Sequence, residues 1–125
     1  MWIIEDNDTE RVCIIDNIKK SKLDRNYFFK YFELITDVIT ENFGPKFIIL
    51  DLQALGYGDW KTIMSPIYNL INKFPSTIFL IYSGVERDAT DAIDDIKEQF
   101  QSKNAMVFKV KVGDVLGWNT LMKKF

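Results

Sequence analysis

Three carboxylates, a hydroxyl and an ammonium stand at the ends of apolar runs in this chain, and together they suit chemistry on a phosphoryl group. Glu5 and Asp6 follow Trp2-Ile3-Ile4, Asp51 closes Phe47-Ile48-Ile49-Leu50, Ser83 follows the run from Ile78 to Tyr82, and Lys109 stands within the run from Met106 to Val110. With one ammonium beside three ionised acids, two negative charges are left over, and a single Mg²⁺ cancels them. Unit charges of like sign about 5 Å apart repel by roughly 3 kcal/mol at an effective dielectric near 20, so a cation at such a cluster is favoured. Magnesium takes oxygen ligands octahedrally and retains waters that phosphate oxygens can replace. Asp51 would then be the nucleophile that accepts the phosphoryl group, with Lys109 and the metal neutralising it and Ser83 donating to one of its oxygens.

For these residues to meet, the runs must be parallel strands of one sheet. Strand-like and helix-like segments alternate along the whole chain, without an internal repeat or linker. Strands are expected at 1–5, 27–32, 47–51, 77–82 and 106–110, the last reaching 112 at most. Helices are expected from Asn7 or Asp8, with Val12, Ile15 and Ile18 inward; at 34–43, with Val38 and Ile39 inward; from a Ser65 cap and Pro66 to about Phe74, burying Ile67, Leu70 and Ile71; at 88–101, with Ala89, Ile93, Ile96 and Phe100 on one stripe; and at 114–125, weakened by Gly117. Gly44-Pro45 is a stop, and 52–64 reads as a long loop. The unbroken apolar run at 47–51 is what a central strand covered on both faces requires. This order predicts one α/β domain spanning 1–125, doubly wound, with a five-stranded parallel sheet in the order 2-1-3-4-5. Its crevice lies outside the carboxyl ends of strands one and three, where Glu5, Asp6 and Asp51 stand.

Composition narrows the function classes. Hydrophobic residues make up 47% of the 125-residue chain and charged ones 27%, which is ordinary globular composition. The absence of histidine excludes a Ser-His-Asp triad, a histidine-ligated zinc site and a phosphohistidine carried by the chain itself. A net charge of −2 gives no electrostatic reason to expect nucleic acid as a partner. No apolar run reaches the roughly 18–20 residues that span a bilayer, and a cytoplasmic location is expected. Cys13 is the single cysteine; it is read as a helix-packing residue. The acids at 5–8 would repel a flavin phosphate, and Leu52-Gln53 after Asp51 lacks the Asp-x-Asp pattern of the hydrolases that pair two aspartates, so an enzyme or flavin carrier on this architecture is disfavoured.

At the same residues the chain resembles the receiver domain of two-component response regulators. Ile3-Ile4-Glu5-Asp6-Asn7 is similar to the acidic pair that ends the family's first strand, Ile49-Leu50-Asp51-Leu52 to the segment holding its phosphoacceptor, Ser83-Gly84 to the Thr/Ser and small residue after strand four, and Lys109 to the lysine of strand five. The resemblance covers nearly the whole chain. It implies a flavodoxin-like phosphoacceptor module in a phosphorelay rather than an enzyme: a histidine kinase or phosphotransfer protein, or a small phosphodonor, would supply Asp51. Mg²⁺ would be held by Asp6 and Asp51 with help from Glu5 and the backbone carbonyl of Gln53. A downstream protein would be met through the fourth helix, fifth strand and fifth helix, by a monomer or homodimer. The chain departs from the pattern at four places: Val110 stands where proline usually follows the lysine, Ala54-Leu55 where Met-Pro is frequent, Gly58-Asp59 inverts the usual Asp-Gly, and Met106 replaces the aromatic residue three before the lysine. Lys111 therefore competes with Lys109 as the site lysine. A receiver-like interaction module that works without phosphorylation is the alternative reading.

Overall fold

Main-chain pairing places five parallel strands in the order β2-β1-β3-β4-β5, as the alternation of elements predicts. The computed structural model describes residues 1–5, 7–20, 30–32, 38, 41–52, 64–100, 106–111 and 114–124. The strands are β1 (Trp2–Ile4), β2 (Lys30–Phe32), β3 (Phe47–Asp51), β4 (Ile78–Tyr82) and β5 (Val107–Lys109). The described helices, numbered in order, are α1 (Asp8–Lys20), α2 (Met64–Lys73), α3 (Glu86–Gln99) and α4 (Val115–Met122). Asp6, Gln53, Ile39, most of the helix expected at 34–43 and most of the loop expected at 52–64 lie outside the described residues.

Successive residues of a strand point to opposite faces, and the core divides accordingly. Trp2, Ile4, Ile48, Leu50, Phe79, Ile81 and Val107 pack with α2 and α3, through Ile67, Leu70, Ile71, Ala89, Ile93 and Ile96. Ile3, Phe47, Ile49, Ile78, Leu80, Tyr82 and Val110 pack on the other face with Ile14 and Ile18 of α1 and with Trp118 of α4. β3 and β4 are buried at every position, as central strands covered on both faces must be.

Of the two residues expected to cap α1, Asn7 does so, its Oδ1 accepting the Glu10 N–H at 3.1 Å, but several other boundaries and faces differ from expectation. The inward stripe of α1 runs through Ile14, Asn17 and Ile18, which turns Val12 outward, 57% exposed, and leaves Cys13 exposed rather than packed. Val12 precedes Ile14 by two residues, about 200° around a helix, so the two cannot share a face. The described α2 already includes Met64, so Ser65 lies within the helix instead of capping it. α3 begins at Glu86, two residues before the expected start.

Two glycines have identifiable packing reasons. A Cβ on Gly44 would come 2.6 Å from the Phe74 ring, so the chain can pass that ring only as glycine. Gly117 is the third residue of α4, and its N–H donates to Asp114 Oδ1 at 2.9 Å. Asp114 thus caps the helix, and a Cβ on Gly117 would press on that carboxylate at 2.4 Å. Replacing Asp114 with alanine is expected to lower unfolding stability by about 1 kcal/mol, the usual worth of a cap. Urea denaturation followed by far-UV circular dichroism measures it; an unchanged midpoint would remove Asp114 from that role.

Candidate functional site

Strand register brings three polar side chains into one row at the carboxyl edge of the sheet. Ile4 is paired with Leu50 and Asp51 with Tyr82, so Glu5, Asp51 and Tyr82 emerge side by side on the face covered by α1. Glu5 is fully buried, and Asp51 and Tyr82 are 6% and 4% exposed. Each Glu5 oxygen has a defined donor: the Asn7 N–H meets Oε1 at 2.9 Å, and the Tyr82 hydroxyl donates to Oε2. Glu10, in the first turn of α1, completes a cluster in which carboxylate oxygens of Glu5, Glu10 and Asp51 lie within 4.8 Å of one another.

Burial pushes the Glu5 carboxyl up, yet hydrogen bonds with Asp51, Tyr82, the Asn7 backbone and Glu10 outweigh it and hold Glu5 below its ordinary value. Burial first, then the bond to Glu5 and the negative charges of Asp51, Glu5 and Glu10, drive the Tyr82 hydroxyl well above its ordinary value, so it remains a donor. Hydrogen bonds between carboxyl groups need a proton between the oxygens. A cation can replace such protons, because all three acids present hard oxygen donors of the kind Mg²⁺ and Ca²⁺ take. The cluster is therefore capable of coordinating a metal ion.

The remaining residues arrive on the other face. Lys109 is registered with Ile81, one position before the Asp51–Tyr82 row, and its side chain starts on the α3 side of the sheet. Its ammonium donates to Glu86 Oε1 at 3.0 Å and to Thr90 Oγ1 at 3.2 Å. Lys111 Nζ lies 3.3 Å from the other Glu86 oxygen. Ser83 follows β4 directly, and its Oγ accepts the Val85 N–H at 3.1 Å. A cavity of about 320 Å³ joins the two groups, lined by Glu10 and Tyr82 from the acid side and by Ser83, Gly84, Glu86 and Lys109 from the other.

Glu5, Asp51, Ser83 and Lys109 thus share one edge, with the acids gathered and the lysine tied to α3. Glu10, Tyr82 and Glu86 were not singled out from sequence. Glu10 had a local signal, since it stands three residues after the Asn7 cap, in the turn that sits over the end of β1. Tyr82 had a weaker one, a polar-tipped aromatic on the same face as Ile78 and Leu80 at the strand's end.

No protein-family model and no curated protein sequence matches the chain. Among solved structures it is similar to a response regulator protein from Burkholderia pseudomallei, crystallised with a phosphorylated aspartic acid, a calcium ion and citrate. The TM-score is 0.56 at 17% identity, covering 98% of this chain and 69% of that one. The fold is receiver-like: a five-stranded parallel sheet of order 2-1-3-4-5 with an acid cluster at its carboxyl edge.

Proposed function

We propose that the whole chain is one receiver-type signalling module whose Asp51 accepts a phosphoryl group in the presence of a divalent cation. The observation that carries this reading is the convergence of Glu5, Glu10 and Asp51 beside a cavity that Ser83 and Lys109 also reach. The phosphorylated aspartic acid and calcium ion of the similar response regulator support it.

In the transfer, an Asp51 carboxylate oxygen attacks phosphorus, the phosphorus–nitrogen bond of a phosphohistidine or phosphoramidate breaks, and the leaving nitrogen keeps the electron pair and takes up a proton. Asp51, Glu5 and Glu10, with Asp6 and the Gln53 carbonyl as further donors, would hold the cation, with Mg²⁺ the proposed occupant. When bound, the cation supplies positive charge against the phosphoryl oxygens. Tyr82 keeps Glu5 in place, Ser83 donates to a phosphoryl oxygen, and Lys109 pairs with another. The donor would be a histidine kinase or phosphotransfer protein, and the downstream partner a protein meeting the α3, β5 and α4 surface. No direct nucleic-acid or membrane partner is proposed, the location is cytoplasmic, and the module acts as a monomer or homodimer. No described helix is long and apolar enough to cross a membrane.

Incubation with Mg²⁺ and phosphoramidate followed by intact mass measurement tests the reading. One phosphoryl mass is expected on the wild type and none on Asp51→Asn. Equal uptake by both, or none by either, would reject it. The second reading, an interaction module that works without phosphorylation, is favoured by the engagement of Lys109 with Glu86 and Thr90. Partner binding indifferent to Asp51→Asn and to a chelator would establish that alternative.

A further inference from the structure

Two lysines at the end of β5 share one counter-ion. Glu86, the first residue of α3, directs Oε1 to Lys109 at 3.0 Å and Oε2 to Lys111 at 3.3 Å. Thr90, one turn along the same helix, accepts from Lys109 at 3.2 Å and donates to the Glu86 carbonyl at 3.2 Å. The base of α3 is anchored by buried Ala89, Ala92 and Ile93, so the Glu86 position is set by the core and not by the ion pairs. Glu86, Lys109 and Lys111 line the same cavity as Ser83. A carboxylate that bridges two ammonium groups there satisfies the charges that two oxygens of a phosphoryl or sulfate group would satisfy.

We propose that Glu86 is an internal counter-anion: it competes with an oxyanion entering the cavity for Lys109 and Lys111, and the oxyanion binds as this carboxylate lets go. The identification of the oxyanion as a phosphoryl group rests on the reading above; the competition itself does not. The two ammonium groups hold the Glu86 carboxyl below its ordinary value, so the competitor is charged at neutral pH. The pairs are solvent-exposed, with Glu86 54% and Lys109 36% exposed, and exposed pairs are weak. The carboxylate therefore sets a threshold for occupancy and does not block it.

The test is a sulfate titration of the full chain in Mg²⁺ at constant ionic strength, read from the ¹H–¹³C resonances of the lysine ε positions. Removal of the competitor in Glu86→Gln is expected to tighten sulfate binding about three- to tenfold, the range that two exposed ion pairs correspond to. Asp91→Asn removes the same charge from the same helix, where it faces Arg87 at 3.8 Å, and is expected to change binding by less than about twofold, because its effect on Lys109 and Lys111 is only screened long-range Coulomb. Equal affinities for wild type and Glu86→Gln, or an equal gain in Asp91→Asn, would overturn the proposal. Phosphoryl uptake from phosphoramidate is followed in parallel. Tighter sulfate binding with no phosphoryl mass on any variant keeps the counter-anion and rejects the phosphoacceptor reading; uptake by Asp51 with no sulfate difference does the reverse.

Discussion

Tyr82→Phe is expected to lower the unfolding free energy by about 1–3 kcal/mol at neutral pH, with a pH dependence that identifies the cause. Glu5 is fully buried, and the Tyr82 hydroxyl is the donor to its Oε2. Removing one partner of a buried hydrogen bond leaves the other with its desolvation cost uncompensated, more so when the orphan is a carboxylate. The sign with pH follows from the raised Tyr82 value. Above the ordinary value of 10.0 the unfolded chain has lost this proton while the native chain retains it, so native stability falls as pH rises. The contribution is fully present below pH 10 and declines by about 1.4 kcal/mol per unit above it, toward the folded value. Glu5 works at the other end. Its lowered carboxyl contributes stability above its unfolded value, and this is lost as pH falls through the folded one. Urea denaturation of wild type and Tyr82→Phe at pH 7, 9, 10.5 and 11.5 should show two curves that close up above pH 10. A constant gap across that range would mean that neither burial nor the bond to Glu5 holds the Tyr82 proton in the native chain.

The second large effect concerns Asp51→Asn, whose direction should reverse with metal. Without a cation, three carboxylates have oxygens within 4.8 Å of one another. At that spacing and an effective dielectric near 20, two unit charges repel by roughly 3 kcal/mol, and shared protons relieve only part of it. An asparagine amide can donate to Glu5 without proton uptake, so the metal-free variant is expected to be about 1–2 kcal/mol more stable than wild type. Magnesium then stabilises the wild type by about 2.7 kcal/mol at one hundred times its dissociation constant, and the variant by far less. Thermal unfolding with chelator and with Mg²⁺ gives all four values. A variant that is less stable in chelator and gains as much from Mg²⁺ as the wild type would show that Asp51 belongs to no cation site.

Both effects turn on Asp51 and its neighbours, and only some of those neighbours could be read from the chain. The acid at position 51 was visible because it closes the four-residue apolar run Phe47 to Leu50, and Glu5 because it follows Trp2-Ile3-Ile4. The stripe Ala89, Ile93, Ile96 and Phe100 was equally visible, and all four are buried. Val12 and Cys13 face outward against expectation because the phase of α1 depends on where Asn7 caps it and on Ile14 meeting the sheet. A helix with apolar residues at 12, 13, 14, 15 and 18 offers more than one face of similar hydrophobicity. The partner of Lys109 was hidden for another reason: Glu86 is twenty-three residues away, and a lysine's reach allows many acids.

Periodicity determined the elements, their parallel order and the edge on which the polar residues stand, because burial on one face or both writes a repeat of two or 3.6 into the chain. Register was decided only in three dimensions, by main-chain hydrogen bonds, because runs apolar at every position such as Phe47 to Leu50 and Ile78 to Tyr82 carry no alternation to fix how one strand slides against the next. That register set Tyr82 beside Asp51, brought Glu5 level with both, and offset Lys109 by one residue onto the opposite face. A single-residue offset reverses the face of a side chain, which is why the acids are gathered under α1 while the lysine is held by Glu86 of α3.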